Sequence, residues 1–180
     1  MLTDDDFQRA ANVFGCPPRR VKAVCAVEAP RGGFDTTGQP TILFERHWFR
    51  KFTDGAFDNF PDISNVKPGG YTSSNKTEHD RLNKAVALNR EAALKSASWG
   101  KFQIMGFNYK PAGFDSLQDF INAMYTDEAH QLDAFVDFVA NDKRLAQAIK
   151  LGDSIGFARA YNGANYAVNK YDQKLVAAGF

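Results

Sequence analysis

Apolar side chains recur at helical spacing in one segment after another, and this periodicity limits the fold more than any other feature of the chain. Phe7, Ala10, Ala11 and Phe14 fall at i, i+3, i+4 and i+7. Thr3 stands before them as an N-cap, Asp4, Asp5 and Asp6 fill the first turn, and Gly15 can end the helix. Leu117, Phe120, Ile121 and Met124 repeat the spacing behind Ser116 and Asp119, a capping-box pattern. Leu82, Ala85, Val86 and Ala93 share one face from Glu78 onward, and Leu132, Phe135, Val136 and Val139 share another. A shorter helix is predicted over residues 143–150, Ser154 is placed to cap the segment leading to Tyr161, and Ala164, Ala167, Val168, Tyr171 and Leu175 lie on the face of a last helix.

Two stretches depart from this period. Residues 41–44 are apolar and partly β-branched between Gly38-Gln39-Pro40 and a charged cluster, which predicts a short strand, one arm of a small hairpin. Residues 53–77 are rich in Asp, Asn, Ser, Pro and Gly and read as a long loop, a kind of segment that is often functional inside a domain. The expected class is therefore α+β, predominantly helical, with a small β-hairpin or short sheet. A chain of 180 residues that is 44% apolar can bury a substantial core, and no repeat or linker divides it, so a single domain over 1–180 is expected.

The second helix carries the most informative residue. Pro17 or Pro18 can open it, and its apolar stripe runs through Val21, Val24 and Cys25 to a next position occupied by Glu28. A carboxylate stands where a core residue is expected. Pro30 disfavours a helical conformation at Ala29, and Arg31-Gly32-Gly33 follows, so the helix stops there. Facing inward, Glu28 would be desolvated and its pKa raised, as a general acid near neutral pH requires for protonating a glycosidic oxygen. Turned slightly outward, or paired with Arg31, it would be an ordinary solvated carboxylate. Periodicity alone leaves both readings open.

Three further constellations could carry chemistry. In Ile42-Leu43-Phe44-Glu45-Arg46-His47, Glu45 follows an apolar strand and is a natural second carboxylate for a glycosidase, or else an ion-pair partner of Arg46 or His47. Asp35 is a weaker candidate for the same role. Between Ser96 and Gly106, Ser98 and Gln103 stand among aromatic, apolar and glycine residues; Gly100 and Gly106 permit close backbone approach, and Trp99 could offer a ring face to a sugar or sit in the core. Tyr161-Asn162-Gly163 places a phenol and an amide at a helix end, which by itself is also an ordinary C-cap.

Several function classes are disfavoured. A formal charge of +1 supplies no basic tract for nucleic acid, and no apolar run is long enough to insert in a membrane. Met1-Leu2-Thr3-Asp4 lacks the positive start of a secretory signal, so synthesis in the cytoplasm without a signal peptide is expected. Cys16 and Cys25 should lie about 12 Å apart, too far for a disulfide. Ser98-Trp99-Gly100-Lys101 fits the S-x-x-K of penicillin-recognising enzymes, but the companion motifs are missing. Cys25 lies on a core stripe, and His47, His79 and His130 show no zinc spacing, so a Cys/His hydrolase and a metal site are not expected.

Taken in order, Ala23 to Glu28 with Gly32-Gly33-Phe34, Ile42 to His47, Gly69-Gly70-Tyr71, Ser96 to Gly113, and Tyr161-Asn162-Gly163 through Leu175 resemble the N-acetylmuramidase family of phage endolysins. The Ser-Trp-Gly-x-x-Gln-Ile-Met-Gly run is the most specific of these stretches. The resemblance implies a lysozyme-like, two-lobed fold and cleavage of the β-1,4 bond between N-acetylmuramic acid and N-acetylglucosamine. It assigns the catalytic acid to Glu28, with Glu45 as the second catalytic candidate, and makes Ser98, Trp99, Gln103, Tyr71, Tyr161 and Asn162 candidates for binding the glycan or a water. No metal or organic cofactor is implied. The partner would be bacterial peptidoglycan, attacked by a monomer in the periplasm or outside the cell. Two departures stand out: Ala29-Pro30 where the family often has serine after the glutamate, and Asp153 to Gly156 where a tryptophan is common. A lytic transglycosylase forming anhydro ends and a non-catalytic wall-binding module remain the alternatives.

Overall fold

The computed structural model describes residues 1–28 and 32–180, excepting the side chains of Ala164 and Asn165. The Ala29-Pro30 helix stop, the Arg31 pairing considered for Glu28 and the place of Ala164 on a helical face lie outside the described residues. The helices are α1 (Asp4–Phe14), α2 (Pro18–Glu28), α3 (Arg46–Phe52), α4 (Asn75–Leu88), α5 (Arg90–Lys95), α6 (Leu117–Thr126), α7 (Glu128–Asn141), α8 (Lys143–Leu151), α9 (Ser154–Asn162) and α10 (Tyr171–Ala177). The strands are β1 (Ile42–Phe44), β2 (Ala97–Trp99) and β3 (Ile104–Met105).

Local chemistry sets the boundaries. The Thr3 hydroxyl accepts the Asp6 N–H while the Asp6 carboxylate accepts the Thr3 N–H at 2.9 Å, a reciprocal cap on α1, and Gly15 closes the helix at φ 63°. The periodic run from 78 to 93 is two helices, because Asn89 is extended and its side chain caps Ala92 at 3.0 Å. α4 begins at Asn75 and takes in the last three residues of the predicted loop, because the Ser74 hydroxyl caps Thr77. Asp153, rather than Ser154, caps α9 through the Gly156 N–H at 2.9 Å.

The sheet is antiparallel in the order β1-β2-β3, pairing Ile42 with Trp99 and Ser98 with Met105. β1 thus pairs with a strand far along the chain instead of a hairpin neighbour; the local hairpin is β2-β3. The segment between Phe34 and Pro40, joined by an isolated bridge, leads into β1. Gly106 is required where β3 ends, since a Cβ there would lie 2.0 Å from the Leu94 carbonyl oxygen.

Helices α1, α2 and α7 to α10 pack together as a helical lobe, and β1 to β3 with α3 to α5 form a smaller one. The fold is α+β and predominantly helical. Aromatic rings fill the core: Phe102 stacks on Phe135 with centroids 4.4 Å apart, and Phe44, Phe49, Phe120 and Phe157 are fully buried. Each such side chain contributes roughly 1.5–3 kcal/mol of burial. α10 packs against both α2 and α9, which brings the chain's last elements onto the end of the helix that carries Glu28.

Candidate active site

A cleft of about 590 Å³ is lined by Glu28, Phe34, Asp35, Thr36, Thr41, Ile42, Leu43, Thr72, Ser73, Asn75, Glu78 and Gln103. Glu28 is the last residue of α2 and is partly buried. Burial pushes its carboxyl up to about 7, against the opposing effect of hydrogen bonds from Tyr171 and Asn162, which favour the charged form. The Tyr171 hydroxyl donates to Glu28 Oε1. Tyr171 was expected only as an apolar position of the last helix, and a phenol on a buried stripe is the signal that it needs a polar partner.

Asp35 lies in the same cleft in the opposite electrostatic condition. Partial burial resists its ionisation, but donors outweigh it. Asn75 Nδ2 donates to Oδ2 at 2.7 Å, while the Thr37 hydroxyl, Thr37 N–H and Gln39 N–H reach Oδ1 at 2.7, 2.8 and 3.1 Å. Together they hold the carboxyl well below the usual range. The cleft therefore holds one carboxyl raised to about 7, able to carry a proton into the neutral range, and one held toward its ionised form.

Glu78 also lines the cleft and was not foreseen. It is buried and fully engaged, accepting from Phe44 N–H at 3.0 Å, Thr72 N–H at 2.8 Å and Arg81 Nη1 at 2.8 Å. It ties α4, β1 and the residue-72 segment into one wall. Among the described residues, no group of three or more His, Cys, Asp or Glu side chains is placed as metal ligands would be.

The remaining candidates are placed as follows. Glu45 precedes α3, accepts the Tyr71 hydroxyl at 2.8 Å, and lies 3.2 Å from His47 Nδ1 without hydrogen-bond geometry; it is not among the described residues lining the cleft. Gln103 lines the cleft with φ 49°, a left-handed conformation that its side chain secures by donating to Gly100 O at 2.8 Å and Thr41 O at 3.3 Å. Ser98 is buried behind it and donates to Gln103 Oε1 at 2.8 Å. Asn162 bonds the Glu28 carboxyl, and Tyr161 donates to Phe102 O at 2.6 Å while stacking on Phe157. Trp99 does not offer a face to a sugar: it is 1% exposed, and its indole N–H is donated to Leu94 O at 3.2 Å. All three residues of β2 are buried, so Trp99 at its end is a core residue.

Residues 17–179 match the model of the Muramidase family, described as N-acetylmuramidase. The chain belongs to the N-acetylmuramidase family. Its fold is similar to the crystal structure of the Burkholderia AP3 phage endolysin, with a TM-score of 0.87 and 41% identity over 98% of this chain and 70% of that one. No curated protein matches the chain. As an N-acetylmuramidase it is a peptidoglycan hydrolase whose substrate is the glycan of the bacterial cell wall.

Proposed function

We propose that this muramidase works as an endolysin-type enzyme in which Glu28 is the general acid for hydrolysis of the β-1,4 bond from N-acetylmuramic acid to N-acetylglucosamine. The observation that carries the reading is the pairing, in one cleft, of a carboxyl at about 7 with a carboxyl held ionised. That division is what acid-catalysed glycoside cleavage needs: Glu28 gives its proton to the leaving oxygen, and the fixed negative charge of Asp35 stabilises the oxocarbenium-like transition state. Asp35 is assigned the electrostatic role because it lines the cleft with Glu28, whereas Glu45 is bonded to Tyr71. Its oxygens are already engaged by donors, which suits a stationary anion better than a proton acceptor.

Tyr171 and Asn162 hold the Glu28 carboxyl in place; Ser98 fixes Gln103 in the cleft wall; Tyr161 anchors the segment at Phe102. Glu45 keeps Tyr71, which is 47% exposed, in position to meet the glycan beside the cleft. The enzyme is read as acting as a monomer, and the continuous family match over residues 17–179 supports one catalytic domain across 1–180. A formal charge of +1 favours an uncharged glycan backbone over nucleic acid as the polymer bound.

Mass spectrometry of purified peptidoglycan digested by the protein tests the reaction. The proposal predicts muropeptides ending in reducing N-acetylmuramic acid. Ends carrying 1,6-anhydro-muramic acid would show that the sugar's own hydroxyl, not water, attacks, and intact glycan strands would show wall binding without cleavage.

A further inference from the structure

Behind the cleft, α7 presents two buried polar side chains one turn apart, Glu128 and Gln131, on the face turned toward the cleft walls. Glu128 Oε1 accepts the Gly33 N–H at 2.8 Å and Lys101 Nζ at 2.9 Å. Gln131 Oε1 accepts the Lys101 N–H at 2.7 Å, while its amide donates to Met124 O at 2.9 Å and to Gly33 O at 3.4 Å. One helix therefore grips two separate segments: the one that carries Gly33 and Phe34, and the turn that carries Gln103.

The same two segments are joined on their other side by Thr41. Its N–H donates to Gly33 O at 2.9 Å, and its carbonyl accepts from Gly100 N–H at 2.8 Å and from Gln103 Nε2 at 3.3 Å. The bonds close into a ring, from α7 to Gly33, to Thr41, to the 100–103 turn and back to α7. Thr41 and Gln103, on the ring's far side, line the cleft together with Phe34, the neighbour of Gly33. The fit is tight enough to dictate residue type. A Cβ on Gly33 would fall 2.2 Å from Gln131 Oε1, and one on Gly100 would fall 2.6 Å from Gln131 Cδ. Both glycines exist to let backbone approach these side chains.

We propose that Glu128 and Gln131 are positioning residues for the hydrolysis: α7 sets the spacing between the Gly33-Phe34 wall and the Gln103 wall, and so the place of the glycan relative to Glu28. This rests on Glu28 being the acid. Neither side chain lines the 590 Å³ cleft, so their effect on the reaction runs through the two walls. Small displacements of a positioning wall lower turnover by about 10- to 100-fold while leaving most ground-state contacts in place.

The test compares Gln131→Met, Glu128→Ala and Glu128→Gln with the unaltered protein on purified peptidoglycan, with kcat expressed per folded molecule and Glu28→Gln assayed in parallel. Gln131→Met and Glu128→Ala should lose about 10- to 100-fold in kcat with KM changed less than about twofold. Glu128→Gln, which keeps an acceptor for the Gly33 N–H, should regain most of the loss. Unchanged kcat per folded molecule in Gln131→Met or Glu128→Ala, or Glu128→Gln as impaired as Glu128→Ala, overturns the proposal. If Gln131→Met does not fold, the Glu128 pair decides alone. Activity surviving in Glu28→Gln would overturn the acid assignment instead, a result separate from either outcome at α7.

Discussion

Replacing Tyr171 with Phe removes one donor to Glu28 and leaves the burial of the site nearly unchanged, so it isolates one of the two forces acting on the acid. Burial raises the Glu28 carboxyl and the Tyr171 and Asn162 bonds lower it, the balance lying at about 7. A hydrogen bond to a charged group contributes about 1.5–3 kcal/mol. The same hydroxyl also bonds the protonated carboxyl, so only the excess for the charged form counts, about 1–2 kcal/mol, or about one pKa step at 1.36 kcal/mol each. The acid works when protonated, and activity is therefore lost as pH rises through its pKa. The alkaline limb of kcat/KM against pH, measured by release of soluble muropeptides, should move from about 7 to about 8 in Tyr171→Phe. A limb that stays in place, or moves downward, would refute the argument that this bond stabilises the ionised acid.

Two further outcomes follow from the same electrostatics. Because Glu28 binds its proton more tightly folded than unfolded, its contribution to stability is greatest below its ordinary pKa of 4.5 and is lost as pH rises to about 7. Glu28→Gln should therefore unfold in urea like the unaltered protein near pH 4 but resist by up to about 3 kcal/mol more at pH 8; a difference independent of pH would contradict the burial of the charge. Asp35→Asn should cost about 100-fold or more in kcat, by loss of transition-state charge stabilisation, whereas Glu45→Gln should cost under about tenfold. The reverse order in a turnover assay would transfer the electrostatic role to Glu45.

How much of this was legible in the chain depended on whether the signal was local. The cap at Thr3, the Ser116 cap and the stripe ending in Glu28 rest on neighbours within one or two turns, and each is present as read. The pairing of β1 with β2 is not local, and nothing near residue 42 specifies a partner at 99. α3 falls between the predicted strand and the predicted loop, and its faces are set by tertiary contacts: Trp48 stacks on Phe52 one turn later and meets Phe107 far along the chain, while Phe49 turns into the core. Trp99 illustrates the same limit from the other direction: its place in the specific motif suggested a sugar platform, but whether a strand is covered on both faces depends on distant helices. Tyr171 could be named as a core residue but not as the partner of a carboxyl 143 positions earlier.

The most direct measurement is the release of soluble muropeptides from purified peptidoglycan by Glu28→Gln, in preparations whose circular dichroism and unfolding cooperativity match the unaltered protein. The amide keeps the shape and the contact with Tyr171 but has no proton to give, so turnover should fall by about 100- to 10,000-fold. Release at a rate near that of the unaltered protein would contradict the assignment of Glu28 as the acid.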